Sequence, residues 1–312
     1  MSFAFVFPGQ GSQSVGMMAA YGELAEIRST FAEASDALGE DLWAMVEEGP
    51  AERLAQTVNT QPLMLTAGVA VWRAWLAAGG EKPVVLAGHS LGEYSALVAS
   101  GALGFADGVR LVRLRAQAMQ QAVPAGVGGM AAILGLEAAR VVEICAQAGQ
   151  GQVVSAANLN DPKQVVIAGH AEAVGRACEA AKAAGAKRAL VLPVSAPFHC
   201  ALMRPAAERL AEALATVELR TPEIEVINNV DVAVESDPVR IKDALVRQAY
   251  SPVRWIETVQ AIAARGVDKV AECGPGKVLA GLVKRCDAGP EAVALTDAAA
   301  LEQLLQLTRG QA

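Results

Sequence analysis

Five consecutive residues, Gly88-His89-Ser90-Leu91-Gly92, set a hydroxyl where it can act as a nucleophile. They follow the apolar run Val84-Val85-Leu86-Ala87 and precede a helix-prone stretch from Glu93 to Ser100. Strand, Gly-x-Ser-x-Gly, helix is the pattern of a nucleophile elbow, a sharp turn that lifts the serine Oγ above a sheet. The flanking glycines allow close packing of strand and helix. The N–H of Leu91, at the helix start, points to where an oxyanion would form. Gly-Ser-Gly turns also arise by chance, but the strand before this one and the helix after it favour the elbow.

A serine hydroxyl is a poor nucleophile at neutral pH and needs a base beside it. Only three histidines are available: His89, His170 and His199. An elbow sends adjacent side chains apart, so His89 is expected to pack or hydrogen-bond beneath the turn. His170 follows the strand Val165-Val166-Ile167 and reads as a helix-opening residue. His199 lies in the Pro-broken loop Ser195-Ala196-Pro197-Phe198-His199-Cys200, a position suited to a general base. By elimination it is the leading candidate. Cys200 reads as a small packing residue, since neighbouring side chains rarely form an in-line nucleophile–base pair.

Arg115 is the second informative charge. The segment Asp107–Ala122 reads as a helix capped by Asp107 and stopped near Pro124. Helical spacing puts Arg115 on one face with Leu111, Val112, Ala118, Met119 and Ala122, while Arg110 and Arg113 project to the opposite, solvated side. A guanidinium on an apolar stripe must find an anion. From spacing alone, an internal ion pair and a fork for a substrate carboxylate are equally acceptable. The loop Gly9-Gln10-Gly11-Ser12-Gln13 is also open: a plain turn, a phosphate cradle, or the source of an oxyanion N–H from Gln10. It has neither the P-loop lysine nor the third glycine of a dinucleotide site.

The elements that must position these groups alternate along the chain, the mark of an α/β fold with a largely parallel sheet. A first strand spans Phe3–Phe7. Helical patterns follow at Phe31–Leu38, Asp41–Glu48 and Gln61–Ala78, and then the elbow strand. Residues 127–195 have their own rhythm: strand, helix, strand, strand, helix, strand. That βαββαβ order is ferredoxin-like. A main domain of residues 1–126 and 196–312, interrupted by a subdomain of residues 127–195, is therefore expected. Further strands are read at Glu225–Asn228 and Lys269–Cys273, a helix after Gly274-Pro275-Gly276, and a frayed tail after Thr308.

At 312 residues the chain can bury a substantial core. Its net charge of −7 argues against general nucleic-acid binding. No apolar run reaches membrane-spanning length, and Met1–Phe7 lacks the basic start and long apolar stretch of a signal peptide. Five scattered cysteines without CxxC spacing suggest neither zinc nor a disulfide framework and fit a cytoplasmic protein.

Taken together, these pieces resemble the malonyl-CoA:acyl carrier protein transacylases of dissociated fatty-acid synthesis. The likeness runs from Phe5-Val6-Phe7-Pro8-Gly9-Gln10-Gly11-Ser12-Gln13 through Gly88–Tyr94 and Gln152–His170 to Glu272-Cys273-Gly274-Pro275-Gly276. Pro193–Met203 and Asn228-Asn229-Val230-Asp231 share it. The resemblance implies an α/β-hydrolase-like main domain with the ferredoxin-like insert. It implies Ser90 as nucleophile and His199 as general base and acid. Arg115 would bind the malonyl carboxylate, and the N–H groups of Leu91 and Gln10 would hold the oxyanion. It further implies that a glutamine, matched here by Gln248, supplies the oxygen that orients His199, with Asn158 and Asn160 as possible supports. Phe198 stands where some members carry serine, which would narrow the acyl pocket against α-branched groups.

The implied reaction is a ping-pong transfer from malonyl-CoA to the phosphopantetheine thiol of acyl carrier protein, through a malonyl-Ser90 ester and with release of coenzyme A. It needs no metal and no resident cofactor. The carrier would be a transient partner of a cytoplasmic monomer that engages neither nucleic acid nor membrane. Lys187, Arg188, Arg204, Lys277, Lys284 and Arg285 are candidate contacts for an acidic carrier. Two rival readings remain: a serine hydrolase or thioesterase, which would usually bring a carboxylate to the histidine, and a noncatalytic carrier-binding scaffold.

Overall fold

An unbroken apolar run such as Phe3–Phe7 has no side to turn to water, so it belongs in a sheet covered on both faces. In the computed structural model, which describes residues 1–309, all five residues are buried. The strands are β1 (Phe3–Phe7), β2 (Val85–Gly88), β3 (Gly128–Leu134), β4 (Val154–Asp161), β5 (Gln164–His170), β6 (Arg188–Val191), β7 (Glu225–Ile227), β8 (Lys269–Glu272) and β9 (Glu291–Ala294). They form a parallel sheet in the order β7-β2-β1-β8-β9 and an antiparallel sheet in the order β4-β5-β3-β6. The architecture is α/β: an α/β-hydrolase-like parallel sheet with a ferredoxin-like βαββαβ unit inserted.

Strand alternation divides β1 between two cores. Phe3, Phe5 and Phe7 face helix Thr57–Ala77, where Phe5 meets Trp72 and Trp75 edge-on at ring separations of 5.6 and 5.2 Å. Ala4 and Val6 face the opposite way, onto Trp255, Val259 and Leu282. Phe7 is in register with Gly88, so the loop Pro8–Gln13 and the elbow leave the sheet side by side. Ligands of open parallel sheets bind at this carboxyl end.

The antiparallel sheet is two-sided in the same manner. Ala131, Ile133 and Ile167 pack on helices Ala138–Ala148 and Ala171–Ala183, whereas Met130, Val166 and Ala168 turn toward Cys200 and Phe198. Register shifts at Ala156/Asn158 and Leu159/Asp161 interrupt the pairing of β4 with β5. There the strand hydrogen-bonds the main chain of Val253, which draws Asn158 and Asn160 to the cleft.

Three local expectations are corrected. Helix Thr57–Ala77 starts a turn before Gln61, with Pro62 inside it. Helix Phe105–Gln121 is capped at Gly104, not Asp107, which sits in its first turn where a carboxylate still favours the positive helix end. Arg113 is not a solvated residue: it is 15 % exposed and held by both oxygens of Glu40. At the other terminus, helix Ala298–Arg309 carries the chain past Thr308, and the rest of the expected tail, residues 310–312, lies outside the described residues.

Candidate active site

The turn after β2 is possible only because of its two glycines. A Cβ on Gly88 would fall 1.9 Å from the carbonyl carbon of Gly92, and one on Gly92 would fall 2.0 Å from the Phe7 oxygen. Between them Ser90 has φ 53°, a left-handed conformation that non-glycine residues hold only when the surroundings enforce it. Asn229 is part of that enforcement. Its Oδ1 accepts from Ser90 N at 2.7 Å and its Nδ2 donates to Gly88 O at 2.6 Å.

His199 reaches the serine from a residue 109 positions away. Its Nε2 lies 2.6 Å from Ser90 Oγ, and its Nδ1 donates to the main-chain carbonyl of Gln248 at 2.9 Å. That carbonyl accepts only, so the proton sits on Nδ1 and the lone pair of Nε2 faces the hydroxyl. The ring is 3 % exposed. Burial, aided by the nearby Arg115 cation, lowers its pKa to about 3, so the imidazole is neutral at physiological pH.

Arg115 is 2 % exposed, as its apolar stripe predicts. Its acceptors are all neutral: Gln61 Oε1 at 2.8 Å, Gln248 Oε1 at 2.9 Å and Ser90 Oγ at 3.2 Å. The internal ion pair left open by the helix spacing is therefore not what holds it. Tyr94 lends a ring face 5.3 Å from the guanidinium carbon. A buried fork without a bonded counter-ion, beside the elbow serine, has the chemistry to receive an anion.

These groups line one cavity of about 240 Å³ between the carboxyl end of the parallel sheet and the Met130–Val166 face of the antiparallel one. Gln10 and Leu91 are on its wall as well. The Gln10 side chain accepts from Thr57 Oγ1 at 2.8 Å. Phe198 and Asn158 also line it.

The remaining histidines behave as the sequence suggests. His89 Nε2 pairs with Asn160 Oδ1 at 2.8 Å and its ring packs on Trp255. His170 precedes helix Ala171–Ala183 and its Nδ1 accepts from Val153 N at 3.0 Å. Cys200 is buried, and burial pushes its thiol up to about 11, far from a reactive thiolate. Of the candidate carrier contacts, Arg285 is bound to Asp161 and Arg204 lies over the Tyr250 ring.

Gln248 does more than the family likeness implied. Its main chain orients His199, while its side chain spans Arg115, Ser90 O and Glu93. Glu93, Asn229 and Gln61 have no role assigned by the sequence pattern. Each is polar and buried, at 2 %, 0 % and 2 % exposure. The single charged residue of the largely buried helix Gly92–Ala99 is the one local signal, and it points to Glu93.

An elbow serine joined to a neutral imidazole, on an α/β scaffold with a ferredoxin-like insert, is an arrangement suited to acyl transfer. The acyl transferase domain family accordingly matches residues 4–295. The chain is 58% identical to the malonyl CoA-acyl carrier protein transacylase of Salmonella typhimurium, across 97% of this chain and 98% of that protein. It superposes on the acyl-carrier-protein S-malonyltransferase of Burkholderia pseudomallei with a TM-score of 0.97, at 59% identity, covering 98% and 100% of the two chains. It matches equally well (TM-score 0.97, 52% identity, 98% and 100% covered) a malonyl-transacylase, PlMCAT, solved in complex with a type II PKS acyl-carrier protein. The chain belongs to the malonyl CoA-acyl carrier protein transacylase family.

Proposed function

We propose that this protein moves the malonyl group of malonyl-CoA onto the phosphopantetheine thiol of acyl carrier protein through an ester on Ser90. The observation that carries the proposal is the junction at Ser90 Oγ: His199 Nε2 at 2.6 Å and an Arg115 nitrogen at 3.2 Å, the latter bonded only to neutral acceptors. Seated on Arg115, the malonyl carboxylate holds the thioester carbonyl over Ser90. Oγ attacks the carbonyl carbon as its proton passes to His199 Nε2. The N–H groups of Leu91 and Gln10 receive the oxyanion. Collapse expels the coenzyme A sulfur, which takes the proton back from the imidazolium. The carrier thiol then repeats the sequence in reverse, and Ser90 regains its hydrogen. Every proton and electron pair is accounted for by these residues, so the reading requires no metal and no resident cofactor. The carrier acts as a transient partner of a monomeric enzyme in this reading.

A carbonyl, not a carboxylate, orients His199, and this separates the reading from a hydrolase. Imidazolium is less favoured beside a neutral acceptor than beside an aspartate, which suits an ester that must wait for a thiol and not meet activated water. The decisive experiment is intact mass after mixing with malonyl-CoA, followed by addition of phosphopantetheinylated carrier. A malonyl adduct absent from Ser90→Ala, discharged onto the carrier, is the expected result. Free malonate as the main product would make it a hydrolase, and no adduct would make it a scaffold.

A further inference from the structure

Glu93 is a buried carboxyl in the first turn of the elbow helix, and it is not among the residues that line the cavity. Its Oε2 accepts from Gln248 Nε2 at 2.8 Å and from Asn229 N at 2.9 Å. Those two partners hold the parts of the site that the chemistry touches. Asn229 pins both ends of the elbow turn, and Gln248 bonds Arg115 through its side chain and His199 through its main chain. A glutamine amide has one donor end and one acceptor end. Only the acceptor end can face a guanidinium without setting N–H against N–H. Ser90 O and Glu93 Oε2 together draw the donor end to the opposite side.

Resting on the malonyl-transfer reading, we propose that Glu93 is a positioning residue for acyl selection: it fixes the direction of the Gln248 amide, and so aims Arg115 at the acyl carboxylate. Position, and not negative charge, is what it supplies. Both donors meet the same oxygen, so one amide oxygen in that place can serve them equally. Without an acceptor there, Gln248 Nε2 keeps only Ser90 O, at 3.0 Å, and the direction of the amide that meets Arg115 is held less firmly. The Asn229 N–H would be left buried and unpaired.

The test compares acylation by malonyl-CoA and acetyl-CoA in the wild type, Glu93→Gln, Glu93→Leu and Glu93→Asp. Glu93→Gln is expected within about threefold of the wild type for both substrates, because the hydrogen bonds are retained. Glu93→Leu is expected to lose about 10²-fold on malonyl-CoA and about tenfold in malonyl-over-acetyl preference, as the aim of the fork is lost. Adding Arg115→Ala to Glu93→Leu should then cost less than Arg115→Ala alone. Glu93→Asp, whose shorter side chain cannot meet both donors, serves if the leucine variant does not fold, and should shift the preference in the same direction. An unchanged preference in the folded leucine or aspartate variant overturns the proposal, as does a glutamine variant as impaired as the leucine one. If the wild type forms no malonyl-Ser90 adduct, the transfer reading itself fails and this inference with it. A wild type that acylates normally while the variants keep their preference sinks this inference alone.

Discussion

At the scale of single residues the site depends on two depressed basicities. Arg115 is a cation whose charge burial disfavours more than its surroundings favour it, since the acceptors bonded to it are neutral and no carboxylate pairs with it directly. An acyl group ending in a carboxylate supplies that pairing; an acetyl group does not. Arg115→Ala should therefore lower kcat/KM for malonyl-CoA by about 10²-fold while altering acetyl-CoA by less than about threefold, measured by stopped acylation assays. Equal losses on both substrates would make the arginine structural. The other depressed group is His199, with a pKa lowered to about 3 by burial first and Arg115 second. An ordinary histidine base would lose about thirtyfold in its neutral form on going from neutral pH to pH 5. Here kcat/KM for acylation, which reports the free enzyme, should stay level across that interval. A descending limb centred near pH 6.5 would contradict the buried, cation-flanked setting of the ring.

At the scale of elements, the elbow is a contact between β2, β1 and helix Gly92–Ala99 with no spare volume. The missing side chain at Gly92 is what lets the helix lie against the Phe7 carbonyl. In Gly92→Ala the new methyl would meet a main-chain atom that cannot rotate aside. A loss of about 3 kcal/mol in unfolding free energy is expected, together with a collapse of acylation, from denaturant titration and adduct formation on the same sample. Retention of full stability would show that the helix can slide. Helix Phe105–Gln121 answers to a different rule. Its apolar stripe delivers Arg115 to the cavity, and its other side leaves Arg110 exposed and Arg113 tied to Glu40.

For the whole molecule, buried ionisable groups set opposing pH drifts in stability. His199 has a folded pKa below its unfolded one, so its contribution is complete above about pH 6.5 and is lost as the pH falls toward 3. Glu272 is the reverse. Fully buried at the end of β8, it accepts from Ala280 N in helix Val278–Cys286, and burial raises its pKa from 4.5 to about 7. Its contribution is complete below pH 4.5 and is lost as the pH rises through 7. Relative to Glu272→Gln, which keeps an acceptor oxygen but cannot ionise, the wild type should lose melting temperature between pH 5 and pH 8. A pH-independent difference between the two, followed by calorimetry, would place the ionisation of Glu272 outside this range.

Much of the molecule can be read from local pattern because its causes are local. An apolar run without alternation makes β1 and β2 central strands, glycine spacing makes the elbow, and the helical period alone puts Arg115 on a buried face. The insert shows itself in its own βαββαβ rhythm. Other features have no local cause. The oxygen on His199 is a main-chain carbonyl, and every residue has one, so no side-chain type marks Gln248 for that task. Glu93, Asn229 and Gln61 are ordinary polar letters until residues far apart in the chain fold into one network. Sequence alone thus determined which groups could do chemistry and the elements that carry them, because propensity and periodicity act over a few residues. Only the tertiary structure decided which oxygen orients the imidazole and that neutral amides hold the buried cation, because both depend on packing between segments 49 to 133 residues apart.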